Sequence, residues 1–242
     1  MNRVWAVAVI AVLFVSMDTV PVYSQQVQLP YVEKPSVVVD GVVSDGEYLV
    51  TFTDPTTGID VSWVHNGSLL YVALSGDNMG WLSIGVGSTN ARMDGSNIII
   101  GSVNEDGSHV VDEVGVGHNH YQDTSRGGES NIIEAGGKIS DRTTIEFVIP
   151  LDSGDQLDYK LSPGETFGVF LALNNVNDDF SKIHSFFSET YIFYIEAVPN
   201  KPPPSMIGLN YLLLILVLIP MAAYLYWRMN RPKVYRFSEM NT

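Results

Sequence analysis

The chain of 242 residues contains no cysteine, and this absence excludes several classes of protein. Without thiols it cannot hold disulfides, zinc–thiolate sites, iron–sulfur clusters or covalently attached c-type haem. Basic residues are also scarce, because 13 Lys and Arg stand against 27 Asp and Glu, for a net charge of −14. Nucleic acid is therefore not an expected partner, since binding phosphate requires a patch of Lys and Arg.

Common catalytic motifs are missing as well. The sequence has no G-x-S-x-G nucleophile elbow, no P-loop, no H-E-x-x-H zinc motif and no G-x-G-x-x-G between a strand and a helix. We therefore expect a carrier or binding module that is not itself an enzyme.

Two apolar segments lie near the ends of the chain and predict membrane targeting. Residues 4–15 form an unbroken apolar run after Arg3, so residues 1–24 are predicted to be a secretory signal peptide. A retained anchor is the less favoured alternative, because the run is too short to span a bilayer comfortably. Residues 206–227 carry no charge over 22 positions and are long enough to cross a hydrocarbon core of roughly 30 Å.

Basic residues follow the second apolar segment at once and predict its orientation. They are Arg228, Arg231, Lys233 and Arg236, the pattern typical of a cytoplasmic flank. We expect a single-pass protein of the cell membrane that contacts the lipid bilayer through its C-terminal helix. The predicted parts are the signal peptide (1–24), an extracytoplasmic domain (25–198), a proline-rich spacer (199–205), the transmembrane helix (206–227) and a basic cytoplasmic tail (228–242).

The predicted extracytoplasmic domain has the pattern of short strands separated by turns. No run of 10 or more residues holds a helical apolar period, and Asn66-Gly67 predicts a tight hairpin. About ten short strands in about 170 residues predict an all-β sandwich. The β-rich runs are 36–39, 48–52, 59–64, 69–74, 81–86, 97–103, 109–116, 143–149, 166–173 and 190–197.

The stretch 117–140 is rich in Gly, Ser, Asn and His and is predicted to be a long loop, a kind of segment that often carries function. His118 and His120 within it would point the same way in an extended backbone, so a metal site is one interpretation. A solvated loop is the favoured one, because the sequence shows no third ligand.

Three aspartates in a later segment offer oxygen ligands. Asp152, Asp155 and Asp158 lie close together in the sequence LDSGDQLD. They lack the spacing of a known calcium loop, so a polar turn is the favoured interpretation.

Met93 and His184 are a second pair of candidate ligands. Each precedes a predicted strand, and a thioether and an imidazole can together hold haem iron. On spacing alone the pair means little, because 91 positions separate the two residues. From the residues alone, a surface methionine and an ordinary histidine are the favoured interpretation.

Longer motifs around these residues resemble the DOMON domain family. GWLSIGVG at 80–87 and MDGSNIIIG at 93–101 are similar to the core of that domain. The likeness continues through TIEFVIPLD at 144–152, LSPG at 161–164 and the Asp178-Asp179 segment that leads to His184. Upstream, VDG at 39–41 and GEY at 46–48 resemble the first strand of bacterial and archaeal members, so the resemblance covers residues 37–197.

The resemblance implies an immunoglobulin-like β-sandwich of about 10–11 strands, with a haem or a sugar bound at one end. In the haem-binding branch, similar to the cytochrome domain of cellobiose dehydrogenase, a methionine before a strand and a late histidine ligate b-type haem. Met93 and His184 fall at those two places and are the implied axial ligands of a non-covalent haem b. Trp81 and Phe186 are expected to line the same pocket.

The resemblance to the haem-binding branch implies an electron-transfer module whose partner is a membrane or secreted oxidoreductase. Two protein ligands on the iron favour electron transfer over oxygen chemistry. Other branches keep the sandwich without a haem role, so a surface module that binds carbohydrate is the alternative. A structural or adhesive surface domain that associates through strand edges is the third interpretation.

Overall fold

The computed structural model describes residues 27–77, 79–87, 93–199, 219–221, 223–228 and 230. The predicted signal peptide lies outside these residues, as do most of the spacer, the predicted membrane segment and the tail. The chain divides into two units, Met1–Val198 and Pro199–Thr242. In the second unit residues 219–221 and 223–228 are helical. Among all the described residues, no helix is long and apolar enough to cross a membrane.

The first unit is a β-sandwich of two sheets, which confirms the predicted fold class, with thirteen strands among the described residues. Only one short 3₁₀ turn, Asp123–Ser125, interrupts the strands described there. The strands are β1 (Val27–Leu29), β2 (Val50–Thr53), β3 (Asp60–His65), β4 (Leu69–Gly76), β5 (Trp81–Val86), β6 (Asn97–Asn104), β7 (Gly107–Val116), β8 (Asn119–Gln122), β9 (Glu134–Ile139), β10 (Thr143–Pro150), β11 (Thr166–Leu173), β12 (Phe186–Phe187) and β13 (Tyr191–Ile195).

The larger sheet contains eight strands in the order β1-β13-β11-β5-β6-β7-β8, and β12 pairs with β11 beside this path. The pair of β1 with β13 is parallel, and the other pairs are antiparallel. The smaller sheet contains five antiparallel strands in the order β2-β3-β4-β10-β9. The larger sheet carries the candidate site described below.

The hydrophobic core lies between the two sheets and follows from the alternation of side chains along each strand. In β5, Leu82 and Ile84 belong to the core, whereas Trp81 belongs to a separate apolar cluster on the opposite face of the sheet. Across the core, the rings of Trp63 and Phe193 meet edge to face with centroids 4.5 Å apart.

A buried carboxylate fixes the segment before β2. Glu146 accepts hydrogen bonds from the backbone amides of Asp40 (3.1 Å) and Gly41 (2.7 Å) and from the Tyr48 hydroxyl (2.9 Å). Residues 36–39 were expected to be a strand, and that expectation is wrong. Within this segment the Val38 amide donates to the Glu47 carboxylate at 2.6 Å and not to a neighbouring strand.

The expected long loop at 117–140 is also wrong, because it contains β8, the 3₁₀ turn and β9. The hairpin at Asn66-Gly67 is confirmed, since it connects β3 to β4. Its turn is longer than two residues: Asn66 Oδ1 accepts the amides of Ser68 at 3.0 Å and Leu69 at 2.8 Å.

Candidate functional site

A cavity opens on the outer face of the eight-stranded sheet, away from the core. Its floor is built by side chains that alternate with core residues on three neighbouring strands. The floor residues are Trp81 and Ser83 of β5, Ile98 and Ile100 of β6, and Phe170 and Ala172 of β11. The resemblance implied a ligand at one end of the sandwich, whereas this cavity lies over the face of one sheet.

The cavity has an inner and an outer chamber. The inner chamber has a volume of about 310 Å³ and the outer chamber about 760 Å³. These volumes lie in the range of small-molecule and cofactor sites. Both chambers are lined by Trp81, Met93, His118, His120 and His184.

Met93 reaches the cavity from the loop before β6, which packs closely against β7. The Gly115 amide donates to Ser96 O, and the Gly95 amide donates to Gly115 O, each at 2.9 Å. Within the loop, the Ser96 amide donates to Met93 O at 2.9 Å. A side chain at position 115 would place its Cβ only 1.6 Å from Met93 O. Glycine at 115 therefore allows the backbone approach that positions Met93.

His184 reaches the cavity from the segment between β11 and β12. The Asn174 side chain supports this segment: its amide donates to Ile183 O at 2.9 Å, and its oxygen accepts the amide of Asn177 at 2.9 Å. The rings of His184 and Phe187 lie 4.8 Å apart. Burial and the nearby His120 lower the pKa of His184, so its imidazole is neutral at neutral pH and can act as a ligand.

The solvated loop predicted at His118 and His120 holds for only one of them: His118 is exposed in the turn between β7 and β8, whereas His120 lies in β8 and is partly buried. Both residues line the cavity, and His120 Nδ1 pairs with the buried Glu113 carboxylate of β7. His109 also lines the outer chamber and stacks on Phe180 at 5.3 Å. The signal in the sequence was the spacing His118-Asn119-His120, although only His120 belongs to a strand and His118 lies in the turn before it.

The aromatic residues predicted for the pocket are only partly brought together. Trp81 lines both chambers, but Phe187 lines the inner chamber in the place expected of Phe186. Adjacent residues of a strand point to opposite faces, so only one of Phe186 and Phe187 can face the cavity. Phe186 pairs with Leu173 in the β11–β12 ladder and is half-exposed.

The residues of the cavity fit a haem. The floor is apolar, and Trp81, Ile100 and Ala172 form a buried cluster there. A thioether from Met93 and a neutral imidazole from His184 are a ligand pair that holds haem iron. Lys182 is a basic side chain in the lining, and it forms an ion pair with Asp179 at 3.4 Å, both side chains being about half-exposed.

Residues 55–174, which include β3 to β11 and Met93, match the model of the DOMON domain family. The β-sandwich of the first unit therefore contains a DOMON domain at residues 55–174. No curated protein matches the chain.

The solved structures to which the chain is similar include carbohydrate binding modules and cytochrome domains. A family 9 carbohydrate binding module from Caldicellulosiruptor kristjanssonii, solved with cellotriose, is 13% identical (TM-score 0.46, covering 75% of this chain and 99% of the module). The cytochrome b domain of pyranose dehydrogenase from Coprinopsis cinerea is 12% identical (TM-score 0.42, covering 59% and 86%). The cytochrome domain of Myriococcum thermophilum cellobiose dehydrogenase is 13% identical (TM-score 0.36, covering 66% and 93%).

Proposed function

We propose that the cavity binds b-type haem non-covalently and that the protein is a membrane-anchored, extracytoplasmic electron-transfer module. The observation that carries the proposal is that Met93 and His184 both line the two chambers, above an apolar floor. Haem supplies one-electron redox chemistry when bound, and a methionine ligand favours a higher reduction potential than a second histidine.

The protein's own residues have separate roles in this proposal. His184 offers a neutral nitrogen because its pKa is lowered, and Met93 offers a thioether held by the loop against Gly115. Trp81 and Phe170 exclude water from the inner chamber. Lys182 offers a positive charge to a propionate group.

His120 also lines the cavity and is a second candidate to bind the haem iron. Its Nδ1 pairs with Glu113, and a carboxylate in this position orients a histidine so that the opposite ring nitrogen is free to bind a metal. We propose that His184 and Met93 would hold the haem iron, on the resemblance together with their shared position in the cavity. The ligand test must therefore include His120.

The protein's location and partners complete the proposal. The helix predicted at 206–227 would hold the domain at the cell membrane, with the tail 228–242 in the cytoplasm. The partner would be a membrane or secreted oxidoreductase that exchanges single electrons with the haem.

The first test is the visible spectrum of the full chain, purified in detergent from a haem-replete host. We expect sharp α and β bands after reduction with dithionite, and a pyridine haemochrome with one haem per chain. A folded but colourless protein that also fails to take up added haemin would contradict the haem proposal.

The second test assigns the ligands. Met93→Leu and His184→Leu are each expected to abolish the six-coordinate low-spin spectrum while the β-sheet signal in circular dichroism remains. His118→Leu and His120→Leu are the matched controls, because both residues line the same cavity. If haem stays six-coordinate in both ligand variants, the assignment of Met93 and of His184 is wrong, and a five-coordinate haem in His120→Leu would then identify His120 as a ligand.

Carbohydrate binding without haem is the second candidate function. The outer chamber places Tyr121 and Phe180 beside Glu113, Gln122 and Asp178, which combines aromatic faces with hydrogen-bonding groups. Titrating cello- and xylo-oligosaccharides into haem-free protein by calorimetry tests this reading. Saturable binding that Tyr121→Ala removes would support it, and heats equal to dilution would exclude it for these sugars.

A further inference from the structure

Three aspartates from distant parts of the chain meet on the inner side of the eight-stranded sheet. Asp112 belongs to β7, Asp123 begins the 3₁₀ turn after β8, and Asp158 lies in the loop after β10. One carboxylate oxygen from each lies within 4.8 Å of the others. Asp112 is next to Glu113 in the strand, so the cluster and the histidine cavity lie on opposite faces of β7.

Two of these carboxylates are buried and under-bonded. Asp112 is 3% exposed and Asp123 is 1% exposed. Among the described residues, Asp112 Oδ1 and both oxygens of Asp123 accept no hydrogen bond, and no ion pair includes any of the three aspartates. Asp112 Oδ2 accepts the Asn131 amide at 2.8 Å. A buried charge without a partner is costly, so the site calls for a positive charge.

Asn97 provides a second, independent observation. Its side chain is 8% exposed, and its Nδ2 donates to Asp158 Oδ1 at 2.9 Å. The Oδ1 of the same amide is buried and has no hydrogen-bond partner among the described residues. A buried amide oxygen therefore lies unused beside the carboxylates. Three carboxylates and an amide oxygen are a donor set typical of hard divalent cations.

The pKa values of the two buried aspartates also reflect the missing positive charge. Burial, together with the charges of neighbouring carboxylates, raises the pKa of Asp112 and of Asp123 to about 7. A bound cation would favour the ionised carboxylates that burial disfavours.

We propose that Asp112, Asp123, Asp158 and Asn97 form a structural site for a divalent cation, with calcium preferred over magnesium. Calcium accepts six to eight oxygen ligands in flexible geometry, whereas magnesium keeps several waters and needs a near-octahedral shell. A buried cluster in which most ligands come from the protein suits calcium.

The cation would connect three parts of the fold that are distant in sequence. Asp123 follows β8 directly, so the bound ion would fix the end of the strand that carries His120. The Asp158 loop is already ordered by Asp155, which accepts the amides of Glu129 at 2.6 Å and Leu157 at 2.9 Å. The expected role is therefore to stabilise this edge of the sandwich.

Thermal unfolding of the full chain in detergent tests the proposal. The protein is first treated with EDTA, and CaCl₂ or MgCl₂ is then added. We expect calcium to raise the melting temperature by about 5–10 °C at about 100 times its Kd, with a smaller shift for magnesium. Calorimetry should show one calcium ion bound per chain.

Asp123→Asn and Asp158→Asn are expected to lose the calcium-induced shift. In EDTA Asp123→Asn should melt at or above the wild type, because it removes a buried negative charge, so its loss of the shift cannot be ascribed to misfolding. Asp152→Asn is the matched control: Asp152 lies in the same loop but is exposed and pairs with Lys160 at 2.5 Å.

Two outcomes would overturn the proposal. One is a wild type that shows neither a shift nor calorimetric binding with either cation, which would identify the cluster as carboxylates that share protons. The other is a calcium shift of equal size in the wild type, Asp123→Asn and Asp158→Asn, which would place the cation elsewhere. Neither readout depends on haem.

Discussion

Met93 and His184 line the same two chambers of one cavity, although 91 positions separate them in the chain. The loop before β6 carries Met93, and the segment between β11 and β12 carries His184. The strands β6, β5 and β11 are consecutive neighbours in the larger sheet, so both residues reach over its outer face.

Replacing Met93 by histidine tests the axial role of the thioether. If Met93 ligates the iron, Met93→His should keep a six-coordinate haem and lower its reduction potential, because imidazole stabilises the oxidised iron more than a thioether does. A spectroelectrochemical titration measures the potential. Met79→His is the control, because Met79 is exposed and lies outside the cavity lining. An equal potential in all three proteins would contradict the assignment.

Gly115→Ala tests the close approach that positions Met93. The new Cβ would overlap Met93 O, so the loop must move, at a cost of about 1–3 kcal/mol in the free energy of unfolding. We expect weaker haem binding with the sheet signal in circular dichroism retained. Haemin titration measures the affinity, and an unchanged affinity would mean that the loop position does not matter for binding.

A hydrogen bond between the sheets predicts a specific dependence of stability on pH. The Tyr191 hydroxyl donates to Asp54 Oδ1. Burial raises the pKa of Asp54, but hydrogen bonds from Thr57 and Tyr191 outweigh burial and leave this pKa below its ordinary value of 3.8. Burial and the bond to Asp54 raise the pKa of Tyr191 from 10.0 to about 12.

Tyr191→Phe should therefore lower the free energy of unfolding most between pH 3.8 and pH 10.0, by about 1.5–3 kcal/mol. The contribution of Asp54 is present above pH 3.8 and is lost as the pH falls through its folded pKa. That of Tyr191 is lost as the pH rises from 10.0 to about 12. Urea unfolding of both proteins across pH measures the difference, and a difference that does not vary with pH would contradict this account.

The Phe193 ring is predicted to be a main contributor to core stability. Phe193 is fully buried and contacts Trp63, Phe52 and Phe167, so Phe193→Ala should cost about 3–5 kcal/mol. Ile192 is the neighbouring residue of β13 and is exposed, so Ile192→Ala should cost about 0.5 kcal/mol or less. Chemical denaturation measures both, and equal losses would show that the core is not packed as described.

The strands that the sequence predicted best are those with strong apolar patterns. The runs 81–86 and 166–173 coincide with β5 and β11, because their β-rich residues are buried on both faces of the central part of a sheet. The strand at 36–39 was wrong, since only the folded chain brings the Glu47 and Glu146 carboxylates to its amides. β8 and β9 were missed because neither has an apolar strand pattern: β8 is made of polar and aromatic residues, and β9 contains two glycines and two charged residues. Both strands lie at sheet edges.

The candidate site was only partly visible in the sequence. Met93 and His184 were selected through the resemblance, and the structure places both in the lining of one cavity. Phe186 was predicted to line the pocket, but its neighbour Phe187 does so, and only the strand register separates the two. His120 was set aside, because its partner Glu113 is seven positions earlier and meets it only through the β7–β8 pairing.

The sequence by itself determined the absence of cysteine chemistry, the acidic charge, the strand-and-turn pattern and the family resemblance, because these depend on residue types and local order. Tertiary structure alone decided which side chains meet. Asp112, Asp123 and Asp158 lie in three separate elements, and four histidines gather in the outer chamber only after strands from across the chain pair in one sheet. Such contacts depend on pairing register and on the face of each strand, which a single sequence does not specify.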